Sequence, residues 1–269
     1  MTPPCAADIA NSVADVRRRM DAAALRAGRY PASVRLLPVT KTIPVERLRL
    51  AFAAGVARFG ENKVQEAREK SEALADLPVT WSVIGHLQTN KAKYVAHFAD
   101  EFQALDSVRV AAALDAALQK QGRALDVFIQ VNTSGEASKF GLQPEELMPF
   151  LRELPAFQSL HVRGLMTLAV LSADAARVRP CFRLLHELRE RHRDALPGGG
   201  LDELSMGMSG DYEIAIEEGA TIVRVGQAIF GPRSTPDSFY WPEGSPDQLM
   251  GAQNDKVGPT TGLPPQVLQ

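Results

Sequence analysis

Short apolar runs alternate with longer segments of helical periodicity along most of this chain. An amphipathic helix is predicted first, over residues 8–27, where apolar side chains recur at nearly helical spacing at Ile9, Val13, Val16, Met20 and Leu25. The apolar runs after it have the length and composition of strands, and they cover residues 35–41, 57–59, 81–85, 102–106, 127–132, 161–168, 203–206 and 222–226.

Helix-like segments separate these strands, and several open on proline or on a capping residue. They start near Pro44, Asn62, Thr89, Val108, Pro144, Asp174 and Ser209. Strict alternation of strands and helices indicates a parallel sheet, and a closed barrel of this kind needs about 250 residues. We therefore predict an α/β fold, a (β/α)8 TIM barrel preceded by one helix. An open doubly wound sheet is the alternative, because the second and seventh strands have the weakest patterns.

The composition changes after Gly231 to a stretch rich in proline, glycine and serine that has no periodicity. We predict a barrel domain over residues 1–231 and a C-terminal tail over residues 232–269, extended and in large part disordered. The alternative is that its aromatic cluster, Phe239, Tyr240 and Trp241, docks on the barrel.

The charge balance argues for a small-molecule partner. The 269 residues carry 30 Lys and Arg against 32 Asp and Glu, a formal net charge of −2, so no basic field is available for nucleic acid or an anionic membrane. The amino terminus has no basic segment followed by an apolar core, and no stretch approaches the length of a membrane span. We expect a cytoplasmic protein.

Lys41 ends the first predicted strand, just before the turn in which Pro44 opens a helix. Barrel active sites are built from the loops that follow the carboxyl ends of the strands. A lysine at a strand end is usually solvated or salt-bridged. At a shielded barrel mouth, however, its amine can stay neutral and add to an aldehyde.

A phosphate site is predicted after the seventh and eighth strands, where barrels commonly bind phosphate through backbone N–H groups. Ser209 precedes a helix, and Gly207 and Gly210 beside it let the backbone approach a ligand closely. Gly226 and Gln227 follow the eighth strand, and their amides can face the same phosphate. An ordinary helix cap at Ser209 and a simple turn at Gly226 are equally compatible with the pattern.

Two polar residues near these turns have both a binding and a structural interpretation. Arg224 lies in an apolar strand, where a charge is costly unless it is paired, so its head group is expected to face the barrel mouth or a carboxylate. As a permanent donor, it can bond an unprotonated pyridine nitrogen. Asn62 either caps the third helix, with Gln65 completing a capping box, or contacts a ligand.

At these residues the sequence resembles the pyridoxal phosphate homeostasis family, single-domain relatives of the alanine racemase barrel (fold type III). The resemblance spans roughly residues 10–231 and rests on the stretches LLPVTKTIP, RFGENKVQEA, WSVIGHLQTNK, VFIQVNTSGEASKFGL, VRGLMTLA and ELSMGMSGDYEIAIEEGATIVRVGQAIFG in this order. The polar tail is not part of the shared pattern.

The resemblance implies that pyridoxal 5′-phosphate (PLP) is the cofactor and forms a Schiff base with Lys41. It also implies that Ser209, Gly226 and Gln227 hold the phosphate, that Arg224 faces the pyridine nitrogen and that Asn62 lines the site. An arginine at this nitrogen weakens the ring as an electron sink. The expected function is therefore PLP homeostasis, a carrier or buffer without robust catalysis that serves apo-enzymes as a monomer.

Two other functions stay open at this point. One is a PLP-dependent amino-acid enzyme of the alanine racemase type, in which His86 or Lys139 supplies an additional acid or base from the loops. The other is an aldolase that uses a lysine Schiff base on the same barrel and binds a substrate phosphate but no PLP. No metal-ligand constellation, Walker loop, GxGxxG or GxSxG motif occurs in the sequence.

Overall fold

A computed structural model describes residues 6–231 of the chain, and the predicted tail at residues 232–269 lies outside them. The strands are β1 (Arg35–Pro38), β2 (Arg58–Glu61), β3 (Thr80–Val83), β4 (Glu101–Leu105), β5 (Leu125–Gln130), β6 (Leu160–Met166), β7 (Glu203–Ser205) and β8 (Ile222–Val225). The α-helices of this part of the chain are α1 (Ala6–Arg26), α2 (Val45–Ala53), α3 (Val64–Ala73), α4 (Ala92–Phe98), α5 (Val108–Gln119), α6 (Leu147–Glu153), α7 (Ala175–His192), α8 (Tyr212–Glu217) and α9 (Gln227–Phe230).

The strands form one parallel sheet in the order β1-β8-β7-β6-β5-β4-β3-β2. At one end of this order, β1 pairs with β8, with Leu37 opposite Arg224. The two outermost strands of the order, β1 and β2, meet through a parallel bridge between Val39 and Gly60, where the Thr40 N–H donates to the Gly60 carbonyl over 2.9 Å. The predicted barrel is thus confirmed, and the open sheet is wrong.

The first helix packs outside the barrel through one apolar face. Ile9, Val13, Val16 and Met20 are buried, as the spacing predicts. The prediction is wrong for Leu25, which is 65% exposed. Ala23 and Ala24 occupy the buried positions of the last turns, and each step along a helix rotates the side chain by about 100°. Helix α1 contacts α2, α8 and α9.

The barrel interior contains polar side chains as well as apolar ones. At its amino-terminal end, Arg35 donates to Glu101 over 2.8 Å, and its guanidinium lies 3.7 Å from Glu203. Charges buried at this depth are tolerated when they are paired. None of the helices among residues 6–231 combines the length and the apolar character that a membrane span requires.

Candidate cofactor site at the carboxyl end of the barrel

All six predicted site residues lie at the carboxyl ends of four strands that are neighbours in the barrel, β7, β8, β1 and β2. Ser209 follows β7, Arg224 lies within β8 with Gly226 and Gln227 after it, Lys41 follows β1, and Asn62 follows β2. Carboxyl ends of parallel barrel strands are where ligands bind in this architecture. The fold therefore brings together one basic amine, one guanidinium and a group of backbone amides.

Lys41 lies in the turn after β1, next to the ends of β8 and β2, the two strands that flank β1. The strand itself ends at Pro38, three residues earlier than predicted. Backbone pairing nevertheless continues, because the Val39 N–H donates to the Val225 carbonyl over 3.0 Å and Thr40 bonds Gly60. Lys41 is only 9% exposed, so its amine is shielded from water as a lysine used in carbonyl chemistry needs to be.

Arg224 is 3% exposed, and its guanidinium donates to neutral groups. Nη1 bonds the Ser205 hydroxyl and Nη2 bonds the Thr167 carbonyl, both over 2.7 Å. No carboxylate within residues 6–231 forms an ion pair with it, so of the two predicted surroundings, the barrel mouth or a carboxylate, the second is wrong. Burial lowers the pKa of Arg224 to about 10, against a smaller opposing effect of Asp211. Arg224 therefore stays charged near neutral pH.

A directional chain of hydrogen bonds leads from Arg224 across the barrel interior. Gln103 donates through Nε2 to Glu101 over 2.6 Å, and the Ser205 hydroxyl donates to Gln103 Oε1 over 2.6 Å. Burial alone would raise the pKa of Glu101, but the charge of Arg35 and hydrogen bonds from Ser82 and Gln103 lower it. An ionised carboxylate only accepts hydrogen bonds. The chain therefore leaves the Ser205 oxygen as an acceptor for Arg224.

The predicted phosphate residues meet between the ends of β7 and β8. The Gly226 N–H donates to the Ser209 hydroxyl over 3.3 Å, and Gln227 is exposed at the start of α9. Ser209 is not a helix cap, because α8 begins at Tyr212 with Asp211 in the capping position. The Ser209 hydroxyl thus accepts from Gly226, keeps its own O–H as a donor and does not serve the helix.

Gly207 and Gly210 differ in what they contact. Gly207 has φ +93°, and a Cβ built on it would lie 2.6 Å from the Ala215 Cβ and 2.9 Å from the Tyr212 Cα. A glycine is therefore required here by packing against α8, and the approach of a ligand to Gly207 stays a prediction. A Cβ on Gly210, which is exposed, would meet nothing within 4 Å.

Asn62 lies one residue before the capping position of α3, which Lys63 occupies without a side-chain hydrogen bond to the helix. The predicted capping box is therefore wrong, and Gln65 instead donates to Glu69. The Asn62 backbone packs tightly against the end of β3, since a Cβ on Gly85 would lie 2.2 Å from the Asn62 carbonyl oxygen. The Asn62 side chain is half-buried and is not used as a cap.

The two loop residues considered as additional acids or bases both have structural partners. The His86 ring stacks on Phe140 with centroids 4.0 Å apart, and its Nδ1 lies 3.3 Å from Asp106. Lys139 donates to the Ala169 carbonyl over 2.8 Å and forms an ion pair with Glu136. These contacts connect the loops after β3, β4, β5 and β6.

The fold and the site define a barrel of the alanine racemase class. The family described as "Alanine racemase, N-terminal domain" matches residues 13–234. A relative from Pseudomonas aeruginosa, named pyridoxal phosphate homeostasis protein, is 43% identical over 225 residues, which cover 84% of this chain and 96% of the relative. One from Pasteurella multocida with the same name is 40% identical over 227 residues, 84% of this chain and 97% of the relative. The chain belongs to the pyridoxal phosphate homeostasis protein family.

A solved structure of PipY from Synechococcus elongatus with PLP bound resembles the barrel as a whole. It superposes with a TM-score of 0.71 at 36% sequence identity and covers 83% of this chain and 100% of that one. The barrel fold is therefore shared with a structure that contains PLP.

Proposed function

We propose that this protein binds PLP covalently through Lys41 and acts in PLP homeostasis as a carrier of the cofactor. The observation that carries the proposal is the placement of Lys41 and the buried Arg224 at the adjoining ends of β1 and β8. A relative at 36% identity has been solved with PLP bound, and the family is named for PLP homeostasis. PLP, when bound, supplies an aldehyde that condenses with a lysine amine and an electron-withdrawing pyridine ring.

The residues of the site fit the three polar parts of this cofactor. Lys41 provides a shielded amine. Ser209 provides a hydroxyl and Gln227 a backbone amide for the phosphate, and the Gly226 N–H, which donates to Ser209 over 3.3 Å, is directed to the same place. The described contacts of Arg224 use two of the five N–H donors of its guanidinium, which leaves donors for a pyridine nitrogen.

Arg224 also favours carriage over catalysis. Its pKa of about 10 keeps it protonated near neutral pH, so it donates a hydrogen bond to the pyridine nitrogen but does not transfer its proton. The unprotonated ring is a weak electron sink, and carbanion chemistry is poorly supported. His86 and Lys139, the additional acids or bases of an amino-acid enzyme, are engaged with Phe140, Asp106, Ala169 and Glu136.

A transfer assay tests the carrier function. Protein loaded with PLP is freed of unbound cofactor and mixed with an excess of a PLP-dependent enzyme in its apo form, and the regained activity is followed. The carrier function predicts recovery from the loaded wild type and none from a Lys41→Ala variant treated in the same way. Recovery that never exceeds the Lys41→Ala control would reject carriage.

An amino-acid turnover assay on the same preparations tests the enzyme alternative. Racemisation or decarboxylation of any amino acid by the wild type, abolished in Lys41→Ala, would establish the alternative in place of the carrier. Apo-enzymes as acceptors, a monomeric state and a cytoplasmic location belong to the same proposal. Gel filtration with light scattering checks the monomer.

A further inference from the structure

A buried cluster of three charged side chains lies behind Lys41, between the ends of β1 and β2 and helix α3. Lys70 Nζ, on a side chain that is 7% exposed, lies 2.6 Å from Glu61 Oε1 and 2.7 Å from Glu66 Oε1. Glu61 is completely buried. Lys70 and Glu61 are thus held away from water, and Glu66 lies part-buried beside them.

The cluster holds the chain on both sides of Lys41. On one side, Thr40 donates through its hydroxyl to Glu61 over 2.7 Å, and its carbonyl accepts from Lys70 over 2.6 Å. On the other side, the Thr42 N–H donates to Glu66 over 2.7 Å. Thr40 is therefore bonded to Glu61 and Lys70, and Thr42 to Glu66, so that the cluster contacts both sequence neighbours of Lys41.

The backbone of this turn is strained. Thr42 has φ +66°, and it is the one non-glycine residue with positive φ among residues 6–231. A β-branched residue rarely adopts this conformation, because its Cβ crowds the following carbonyl oxygen. Strained residues persist only where their surroundings fix them, and they concentrate at functional sites. Two hydrogen bonds fix the conformation of Thr42. Its N–H donates to Glu66, and its hydroxyl donates to the Lys41 carbonyl over 2.6 Å.

Stability alone does not account for the cluster. Each buried ion loses hydration, and well-packed apolar side chains in place of buried ion pairs are often as stable or more stable. Here two acidic side chains share one ammonium, and Glu61 Oε2 has no hydrogen-bond partner within the described part of the chain. The arrangement therefore fixes a geometry that a simpler core would not.

We propose that Glu61, Glu66 and Lys70 are positioning residues that hold the turn Thr40 to Thr42, so that the Lys41 amine is presented to the barrel mouth in one orientation. This inference rests on the proposed function, in which Lys41 is the point of cofactor attachment. It adds that the reactivity of Lys41 is set by α3, through contacts that do not touch the cofactor.

The test compares Glu66→Ala with Glu66→Gln. Alanine removes the acceptor of the Thr42 N–H, whereas glutamine keeps an acceptor oxygen at that place. Glu66 is only half-buried, so both variants are expected to fold. Glu69→Ala is the matched control, because Glu69 is exposed on the same helix and its described contact is with Gln65.

Two readouts are measured on the same proteins. The first is the PLP dissociation constant, which we expect to rise about tenfold in Glu66→Ala and to stay within about twofold of wild type in Glu66→Gln and Glu69→Ala. The second is competitive acetylation of the PLP-free proteins with trace acetic anhydride. The Lys41 rate should change severalfold in Glu66→Ala alone, while the rate of the exposed Lys120 stays constant.

The second readout separates this inference from the proposed function. If the wild type does not attach PLP to Lys41, the proposed function fails, and the acetylation rate of Lys41 still decides whether α3 controls that amine. Glu66→Ala with a wild-type acetylation rate at Lys41 would overturn the inference, as would equal losses of PLP affinity in Glu66→Ala and Glu66→Gln.

Discussion

Arg224 donates to the Ser205 hydroxyl over 2.7 Å in the barrel interior, and it does so without a carboxylate partner among residues 6–231. The Ser205 hydroxyl donates to Gln103 Oε1, and Gln103 is itself oriented by the bond from its Nε2 to Glu101. A buried cation held by an oriented, neutral hydroxyl keeps its position without losing its charge. This relationship links the cofactor site to the polar layer at the opposite end of the barrel.

Ser205→Ala should lower the free energy of unfolding by about 2 to 3 kcal/mol, because it removes the buried partner of Arg224 Nη1 and of Gln103 Oε1. Ser159→Ala is the matched control. Ser159 is also buried, but it bonds Asp115 through its backbone N–H, which alanine keeps. The control should change stability by about 0.5 kcal/mol or less. Urea denaturation of the PLP-free proteins measures both, and equal effects would contradict the role of Ser205.

Gly207→Ala should destabilise the protein by about 2 to 4 kcal/mol, because the new methyl group meets Tyr212 and Ala215 at positive φ. Gly210→Ala should stay within about 1 kcal/mol of wild type, since its Cβ meets open space. Thermal unfolding compares the two. A Gly207→Ala protein as stable as Gly210→Ala would show that the loop is not packed on α8 as described.

Glu61 should make the free energy of unfolding depend on pH in the direction opposite to that of a carboxylate in an exposed ion pair. Burial raises the pKa of Glu61 from 4.5 to about 7, against the opposing charge of Lys70. Between pH 4.5 and about 7, Glu61 is protonated in the folded protein and ionised in the unfolded chain. Its contribution to the free energy of unfolding therefore favours the folded state at low pH and is lost as the pH rises toward 7.

Glu61→Gln removes this titration and mimics the protonated side chain. Its stability relative to wild type should therefore improve as the pH rises from about 5 to about 8, by an amount on the order of 3 kcal/mol. Guanidinium denaturation at several pH values measures the difference. A difference between the two proteins that does not vary with pH would mean that Glu61 is ionised throughout.

The sequence was sufficient to predict the barrel, because alternating apolar runs and helical periods are local patterns. All eight strands were located, although β1 ends three residues early and β2 extends to Glu61. The predicted caps at Asn62 and Ser209 were wrong, since α3 and α8 start later and use Lys63 and Asp211. Cap positions depend on how each loop packs, and one sequence pattern does not fix that.

The residues that support the site could not be predicted from the sequence. Ser205 and Gln103 are 102 positions apart, and only the closed barrel brings them together. The strained Thr42 has no local signal either, because threonine is not a residue expected at positive φ. Glu66 and Lys70 offered a partial signal, an acidic and a basic residue four positions apart on a predicted helix, but nothing indicated that Glu61 joins them.

Borohydride reduction of the PLP-loaded protein, followed by peptide mass mapping, tests the central claim most directly. Reduction makes a covalent pyridoxyl adduct permanent, and the account predicts that adduct on the peptide that contains Lys41, with loss of the visible absorbance and with no adduct in Lys41→Ala. An adduct confined to another lysine, or none after incubation with PLP, would contradict the attachment at Lys41 and with it the proposed function.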